Sequence, residues 1–286
     1  MKIALIKSTK HLAEYKKIIQ KLGHDYLFID IDKDNWAKKF RQIDPKVNAY
    51  FWQSIDRGQY YRKDILDPVY FIEQNSAHKI FPDFNQYYCY NDKIKQTNIL
   101  NFYRFPTPKT FYTSNQGAAQ RFILQTKYPF VLKDPHSASS LGVYLVKNQS
   151  QAEQFIKKIF RPQGFNSLYS QFYAQEFIPG LGKSLRVITV GPRVYCAYWR
   201  LSPDDWRHRL DQASTVSDKN IPAQAKKICQ TLAAKVKFHW MSWDLLVKNN
   251  KMYIIEFSCN FGTAGAEKLG YNPREEIIKY MIKHIK

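Results

Sequence analysis

Residues Met241–Gly262, MSWDLLVKNNKMYIIEFSCNFG, form the segment around which the chain is organised. Two apolar runs flank the polar tetrapeptide at 248–251, and each run carries one carboxylate, Asp244 in the first and Glu256 in the second. Alternation with β-branched and aromatic residues predicts two strands, and asparagine tolerates the positive φ of a tight connection. The segment is therefore predicted to be a β-hairpin.

The length of the connection decides whether the two carboxylates meet, because side chains of a strand alternate between faces. A loop of two or four residues centred on Asn249-Asn250 would place Asp244 opposite Ile255. A loop with an odd number of residues, centred on Asn250, would place Asp244 opposite Glu256, and we predict the odd loop. Two acids facing each other among apolar residues repel unless a cation lies between them, and carboxylate oxygens suit magnesium. A surface acid paired with a lysine explains the pattern equally well.

The composition indicates a folded globular protein of 286 residues, with 44% hydrophobic and 16% aromatic residues. That length accommodates two or three lobes. The sequence lacks an apolar run long enough to span a membrane and a signal-type segment, so we expect a cytoplasmic protein without a membrane partner. The four cysteines are scattered without a Cys-x-x-Cys motif, which argues against a zinc site or a disulfide framework.

The formal net charge of +20 predicts attraction to a polyanion. The lysines are spread along helix-like segments without one dense basic tract, so solvated helix faces account for most of them. Charge alone supports a nucleic-acid-binding protein, and no recognisable motif accompanies it. We therefore expect no specific nucleic-acid partner.

The first ninety residues alternate strands with helices, which predicts a small parallel α/β lobe. The predicted strands are 2–7, 25–31, 47–52 and 78–81, and the predicted helices are 11–22, 36–43 and 64–73. No Gly-x-Gly-x-x-Gly follows the first strand, which argues against a dinucleotide site there.

The remaining two thirds of the chain mix strands and helices without a repeat. Predicted strands are 109–112, 128–133, 142–146 and 168–178, with hairpins at 185–200 and 241–257. Predicted helices are 91–100, 116–125, 151–160, 221–236 and 273–285.

A loop of small residues between two predicted strands, at 134–142, is a candidate anion site. Small side chains let backbone N–H groups approach an anion, and Ser137, Ser139 and Ser140 add hydroxyl donors. Lys133, at the end of the preceding strand, would set a positive charge against phosphates. A plain serine-rich turn is the alternative interpretation.

The segment from Gln175 to Ile178 ends another strand with a polar pair followed by Phe177 and Ile178. Such an edge can offer backbone groups to a purine while the apolar side chains wall its faces. The alternative is an ordinary edge strand.

Four arginines follow. Arg186 and Arg200 fall on adjacent predicted strands, and Arg207 and Arg209 lie in the next loop. Guanidinium groups bind carboxylates and phosphoryl groups with two parallel hydrogen bonds and stabilise charge that develops during transfer. Surface positions explain Arg207 and Arg209 as well, and explain Arg200, between Trp199 and Leu201, less well.

The order of these features resembles the ATP-grasp superfamily and, within it, the RimK-like carboxylate–amine ligases. The resemblance covers about residues 85 to 265 and includes Asn91-Asp92-Lys93, Ile99-Leu100 and Pro106-Thr107-Pro108. It implies an α/β protein with the ATP-grasp fold and an N-terminal Rossmann-like pre-ATP-grasp domain. The implied domains are 1–88 for the N-terminal domain, 89–178 for a central lobe with the phosphate loop, and 179–286 for a C-terminal lobe with the metal site.

The same resemblance implies ATP and Mg2+ as cofactors, with Mn2+ as a substitute, and assigns roles to residues. The implied nucleotide contacts are Lys93, Lys133, Ser139, Ser140, Gly142, Gln175, Glu176, Phe177 and Ile178. The implied catalytic residues are Arg200, Lys133 and Arg186, and the implied metal ligands are Asp244 and Glu256 with Ser258 or Asn260.

The chain departs from the family pattern at several positions. The usual Glu-x-Asn is Glu256-Phe257-Ser258, so either Ser258 is a poorer ligand or Asn260 substitutes after a bulge. The usual Asp-x-Arg is Ser184-Leu185-Arg186, which lacks the acid. The phosphate loop also holds fewer glycines than the family usually has.

Together these features predict an ADP-forming ligase that joins a carboxylate to an amine through an acylphosphate. The net charge with Arg207 and Arg209 predicts an acidic acceptor such as a peptide, a protein tail or a glycan, and the resemblance implies a homo-oligomer. The rival interpretation is a catalytically weak nucleotide-binding module with a polyanionic partner, which the altered metal motif and the glycine-poor loop favour.

Overall fold

The structure is a computed structural model, and it describes residues 1–7, 12–31, 36–52, 62–137, 142–161, 171–180, 182–202, 206 and 215–285. Three β-sheets and the helices that cover them make up this part of the chain. Four predicted site residues, Ser139, Ser140, Arg207 and Arg209, lie outside the described residues.

The N-terminal sheet is parallel, as predicted for the first ninety residues. Its strands are β1 (Lys2–Lys7), β2 (Asp25–Asp30), β3 (Ala49–Phe51) and β4 (Lys79–Phe81), in the order β2-β1-β3-β4. The intervening helices are α1 (Leu12–Lys21), α2 (Trp36–Ile43) and α3 (Arg62–Asn75). After α1 the chain turns at Gly23, whose φ of +77° is readily adopted only by glycine.

The middle sheet is antiparallel and has the order β5-β8-β6-β7. Its strands are β5 (Thr110–Thr113), β6 (Phe130–Lys133), β7 (Val143–Val146) and β8 (Phe172–Glu176). The helices of this region are α4 (Phe84–Tyr88), α5 (Lys93–Phe102), α6 (Gln116–Gln125) and α7 (Gln149–Ile159). Strand β8 lies inside the sheet, so the interpretation of Gln175-Glu176 as part of an edge strand was wrong.

The large sheet is antiparallel and has the order β11-β10-β9-β12-β13. Its strands are β9 (Lys183–Val190), β10 (Arg193–Leu201), β11 (Thr215–Ser217), β12 (Trp240–Lys248) and β13 (Lys251–Ser258). The accompanying helices are α8 (Ala223–Val236), α9 (Ala264–Glu267) and α10 (Pro273–His284).

The hairpin of β12 and β13 pairs Asp244 with Glu256, but the predicted odd loop was wrong. The turn has two residues, Asn249 and Asn250, with φ of 49° and 59°, and Lys248 pairs with Lys251. The register shifts by one residue where Leu245 pairs with Ile254 and the next pair is Asp244 with Glu256. A β-bulge at Ile255 thus adds one residue to β13, and this extra residue brings Asp244 opposite Glu256 although the turn has an even number of residues.

The hydrophobic cores divide the molecule differently from the sheets. One core is continuous from the N-terminal sheet to the large sheet and includes Tyr50, Val187, Leu232 and Trp243. The middle sheet has a separate core with α6 and α7, which includes Ile123 and Phe172. The N-terminal and C-terminal regions therefore share an interior, and the domain limits at 88 and 178 stay predictions.

Two further observations concern the cysteines and the apolar character of the helices. None of the four cysteines forms a disulfide, and all four are buried. Within the described ranges, no helix has both the length and the apolar character that crossing a bilayer requires.

Candidate active site

A cleft lies between the middle sheet and the hairpin of the large sheet. It encloses about 650 Å³ of space, including the part open to solvent. It is lined by Lys93, Pro108, Val131, Lys133, Ser137, Val143, Gln175, Glu176, Phe177, Ile178, Trp206, Leu246, Ile255 and Glu256. The cleft thus brings together eight of the residues predicted from the sequence: Lys93, Lys133, Ser137, Gln175, Glu176, Phe177, Ile178 and Glu256.

Two lysines and one carboxylate give one end of the cleft its charge. Lys93 Nζ lies 3.8 Å from Glu256 Oε1 and donates to the carbonyl oxygen of Ser137. Lys133 Nζ donates to Gln175 Oε1 at 2.7 Å. Burial lowers the pKa of Lys133 to about 8, an effect that Glu256 opposes and Lys93 reinforces. Near neutral pH this end of the cleft holds a positive charge suited to an anionic group.

The other end of the cleft is mostly apolar, with the exposed Glu176 also in its lining. Phe177 and Trp206 meet with ring centroids 6.0 Å apart and nearly perpendicular planes. Ile178 and Leu246 also line this end, Ile178 following strand β8 and Leu246 on β12. Flat apolar walls beside a strand terminus suit the faces of a planar ring.

The start of α5 is joined to the loop that follows β6. Asp92 caps the helix by accepting from the Lys95 backbone N–H at 3.1 Å, and the Lys93 N–H donates to the Pro135 carbonyl oxygen at 2.9 Å. These bonds hold Lys93 against the cleft. At the far end of the loop, Gly142 has φ +69°, and a Cβ there would lie 2.7 Å from the Asp134 Cβ.

Arg186, Arg200 and Asp244 form a buried cluster on the large sheet. Arg186 binds Asp244 with two hydrogen bonds of 2.9 Å, from Nε to Oδ1 and from Nη2 to Oδ2. Arg200 Nη2 lies 3.2 Å from Asp244 Oδ2, and Arg200 Nε donates to Ser184 Oγ at 3.0 Å. The predicted placement of the two arginines on adjacent strands is confirmed.

The three charges of this cluster fix one another's protonation. Burial alone raises the pKa of the Asp244 carboxyl, but Arg186 and Arg200 bring it down to about 2. Burial opposes the charge of Arg186, yet Asp244 keeps the pKa of that guanidinium above its usual value. For Arg200 burial outweighs the attraction of Asp244 and lowers the pKa. Asp244 is therefore ionised over the whole physiological range.

The predicted metal ligands occupy different surroundings. Glu256 faces the cleft, whereas both oxygens of Asp244 are bonded to arginines. The Ser258 hydroxyl donates to the Asn260 carbonyl oxygen at 2.6 Å, and Asn260 Nδ2 donates to the Tyr90 hydroxyl at 3.2 Å. Among the described residues, no three His, Cys, Asp or Glu side chains converge as a metal site would need.

Several cleft residues were not predicted from the sequence: Pro108, Val131, Val143, Trp206, Leu246 and Ile255. Period-two alternation could have indicated two of them, since Val131 shares a strand face with Lys133 and Leu246 lies two residues after Asp244. Trp206 carries no local signal, because it reaches the cleft from the segment after β10.

The model of the RimK-like ATP-grasp domain matches residues 90–281, well over half of the chain. The chain belongs to this family. The match contains α5, the middle sheet and the hairpin of β12 and β13, and so covers every described residue of the cleft.

Curated relatives and solved structures agree with this assignment. The chain is 25% identical over 247 residues to the coenzyme gamma-F420-2:alpha-L-glutamate ligase of Methanocaldococcus jannaschii, covering 84% of this chain and 77% of that protein. It is 23% identical over 191 residues to the alpha-aminoadipate–LysW ligase LysX of Saccharolobus solfataricus, covering 65% and 67%.

Solved structures share the fold at lower sequence identity. A RimK domain protein of Sphaerobacter thermophilus superposes with a TM-score of 0.70 and 13% identity, over 99% of this chain and all of that one. The D-cycloserine synthetase DcsG superposes with a TM-score of 0.76 and 12% identity over the full length of both chains. The predicted ATP-grasp fold is confirmed.

Proposed function

We propose that this protein is an ATP- and magnesium-dependent ligase that joins a carboxylate to an amine and releases ADP and phosphate. The observation that carries the proposal is the cleft of a RimK-like ATP-grasp chain that gathers Lys93, Lys133 and Glu256 at one end and apolar walls at the other. Curated relatives of the chain are ligases of glutamate or alpha-aminoadipate by name.

The nucleotide would lie along the cleft with its base at the apolar end. Phe177, Ile178 and Trp206 would pack on the purine, and the chain that continues from β8 would offer it backbone groups. Lys93 and Lys133 would then face the phosphates, together with Ser139, Ser140 and Gly142 of the loop after β6. This direction follows from charge, since both lysines lie at the end that holds Glu256.

Glu256 is the side chain best suited to magnesium, because its carboxylate faces the cleft beside the lysines. Magnesium commonly takes one or two protein carboxylates and completes its octahedron with phosphate oxygens and water. Glu256 would hold the ion, which when bound would offset the negative charge of the transferred group. The second position predicted at Ser258 or Asn260 has its local hydrogen bonds within the turn and to Tyr90.

Arg200, Arg186 and Lys133 are the residues assigned to the chemical step. The substrate carboxylate attacks the γ-phosphorus of ATP, and ADP leaves as the acylphosphate forms. The amine then attacks the activated carbonyl, phosphate leaves, and the amine gives up a proton. Fixed guanidinium groups stabilise the oxygen charge of both steps, and the loop after β6 excludes water that would hydrolyse the acylphosphate.

The acceptor is proposed to be acidic, for instance a peptide, a protein tail or a glycan. The formal net charge of +20 favours a negatively charged partner, and Arg207 and Arg209 follow the strand that carries Arg200. Replacing both by alanine should raise the KM for the acceptor with little change in the Kd for ATP. An unchanged acceptor KM would remove these two arginines from acceptor binding.

The decisive experiment measures ADP release with ATP and Mg2+ against a panel of amino acids and acidic peptides. Wild type is compared with Glu256→Gln, which keeps the shape of the side chain and removes its charge. Release that requires both a carboxylate and an amine, and that is lost in the variant, supports the ligase. If the protein binds ATP but turns over no mixture of the panel, it is incubated with a cell extract and the products are sought by mass spectrometry. ATP binding without turnover in either experiment would favour a nucleotide-binding module instead.

A further inference from the structure

Three neighbouring strands bring two cations and one anion to a single face of the large sheet. Asp244 on β12 is the direct partner of Arg186 on β9, and Arg200 on β10 is the direct partner of Ser184 on β9. Directly paired residues of antiparallel strands project to the same face. The four side chains therefore lie side by side, which the hydrogen bonds among them confirm.

The charges within this group do not balance. Two guanidinium groups share one carboxylate, and the residue opposite Arg200 is a fully buried serine that accepts a hydrogen bond and carries no charge. Asp244 is consequently the counter-ion of both arginines. A divalent cation on the same carboxylate would lie beside two fixed positive charges, an arrangement that like-charge repulsion disfavours strongly in a buried site.

We propose that in this protein Asp244 positions Arg186 and Arg200 as their common counter-ion, and that the metal of the metal–nucleotide complex is held by Glu256 without Asp244. The inference rests on the proposed function, because it requires a nucleotide in the cleft. Ser184 is the residue that fixes the arrangement, because it places no carboxylate directly opposite Arg200. Among the described residues, Asp244 is the acid that bonds both guanidinium groups.

The test is a titration of Mn2+ into protein saturated with ADP, followed by electron paramagnetic resonance of the free ion. Asp244→Asn and Glu256→Gln are matched variants, since each removes one charge and keeps the side-chain shape. We expect Glu256→Gln to weaken Mn2+ binding at least tenfold and Asp244→Asn to change it less than threefold. An equal loss in the two variants overturns the proposal.

A double variant covers the case in which Asp244→Asn alone fails to fold. Ser184→Asp introduces a carboxylate directly opposite Arg200, so Ser184→Asp combined with Asp244→Asn moves the counter-ion to the neighbouring strand. We expect the double variant to recover the melting temperature lost in Asp244→Asn and to bind Mn2+ within threefold of wild type. If the melting temperature is not recovered, or Mn2+ binding falls tenfold, Asp244 has a role that a counter-ion cannot fill, and the proposal fails.

The ADP titration that precedes the Mn2+ experiment distinguishes a failure of the proposed function from a failure of the role assigned to Asp244. Wild-type protein that does not bind ADP would contradict the proposed function itself. ADP binding accompanied by equal Mn2+ losses in Asp244→Asn and Glu256→Gln would contradict only the role assigned to Asp244.

Discussion

Lys133 is a half-buried cation in the cleft whose charge depends on pH near the physiological range. Burial lowers its pKa to about 8, so the ammonium is present below that pH and is lost above it. A bound phosphate group requires the charged form. Nucleotide affinity should therefore fall as the pH rises through 8, because only the protonated fraction of the protein binds well.

We expect the Kd for ATP to rise about tenfold between pH 7 and pH 9, in proportion to the loss of the protonated form. Fluorescence titration at constant ionic strength measures it. Lys133→Arg is the control, since a guanidinium stays charged over this range and should give a flat profile. A flat profile in the wild type would show that the Lys133 charge does not contribute to binding.

Gly142 is the second residue with a local consequence for the site. It closes the loop after β6 with φ +69°, and an added Cβ would lie 2.7 Å from the Asp134 Cβ. Gly142→Ala should therefore displace the loop and weaken ATP binding at least fivefold. Gly270→Ala is the matched control, because Gly270 also has a positive φ, +81°, but open space around it. The control should lose about 1 kcal/mol of unfolding free energy and keep its Kd for ATP.

At the scale of single elements, the hairpin of β12 and β13 depends on two asparagines with left-handed backbone angles. This combination is typical of a type I′ turn, which matches the twist of paired strands. Asn250→Ala should lower the free energy of unfolding by about 1 kcal/mol, since the left-handed conformation is less favourable for alanine than for asparagine. Asn250→Gly should be neutral or stabilising. Chemical denaturation checks both, and equal stability of the two variants would contradict the turn assignment.

The same hairpin shows which features of the structure can be predicted from local sequence patterns. The two strands and the meeting of Asp244 with Glu256 were predicted, whereas the odd-numbered loop was wrong. The bulge at Ile255 was not predicted, because one extra residue inside an apolar run leaves the pattern of strand residues intact. Helix α6 was predicted with its observed bounds, and in the structure Asn115 caps it by accepting from the Ala118 N–H.

The pairing of Asp244 with Arg186 could not be predicted in the same way. The two residues are 58 positions apart, and only the register between β9 and β12 brings them together. The short elements β11, α4 and α9 were also missed, since three to five residues are too few to show a period.

At the scale of the whole molecule, the separate core of the middle sheet predicts two steps of unfolding. Ile123 belongs to that core and Leu232 to the core shared by the other two sheets. Without nucleotide, calorimetry should resolve two transitions, and Ile123→Ala should lower only one of them while Leu232→Ala lowers only the other. Each truncation removes about 2–5 kcal/mol. A single transition shifted by both variants would show that the cores unfold together.

ATP with Mg2+ should bring the two transitions closer, because the proposed nucleotide site takes residues from both sides of the cleft and a ligand stabilises the folded parts that bind it. The transition of the middle sheet should rise with ligand concentration. Glu256→Gln provides the comparison, since it should reduce the effect of Mg2+ while leaving both cores unchanged.

The middle sheet is built from one uninterrupted length of chain, from Thr110 to Glu176, with its own interior. In the described part of this segment, the polypeptide enters the region once, after α5, and leaves it once, after β8. A segment with two crossings and an independent core can be exchanged between relatives by recombination without disturbing the rest of the protein. Recombination can therefore change the proposed cover of the phosphates and the proposed site for acid and amine at separate times, with each part inherited from a different ancestor.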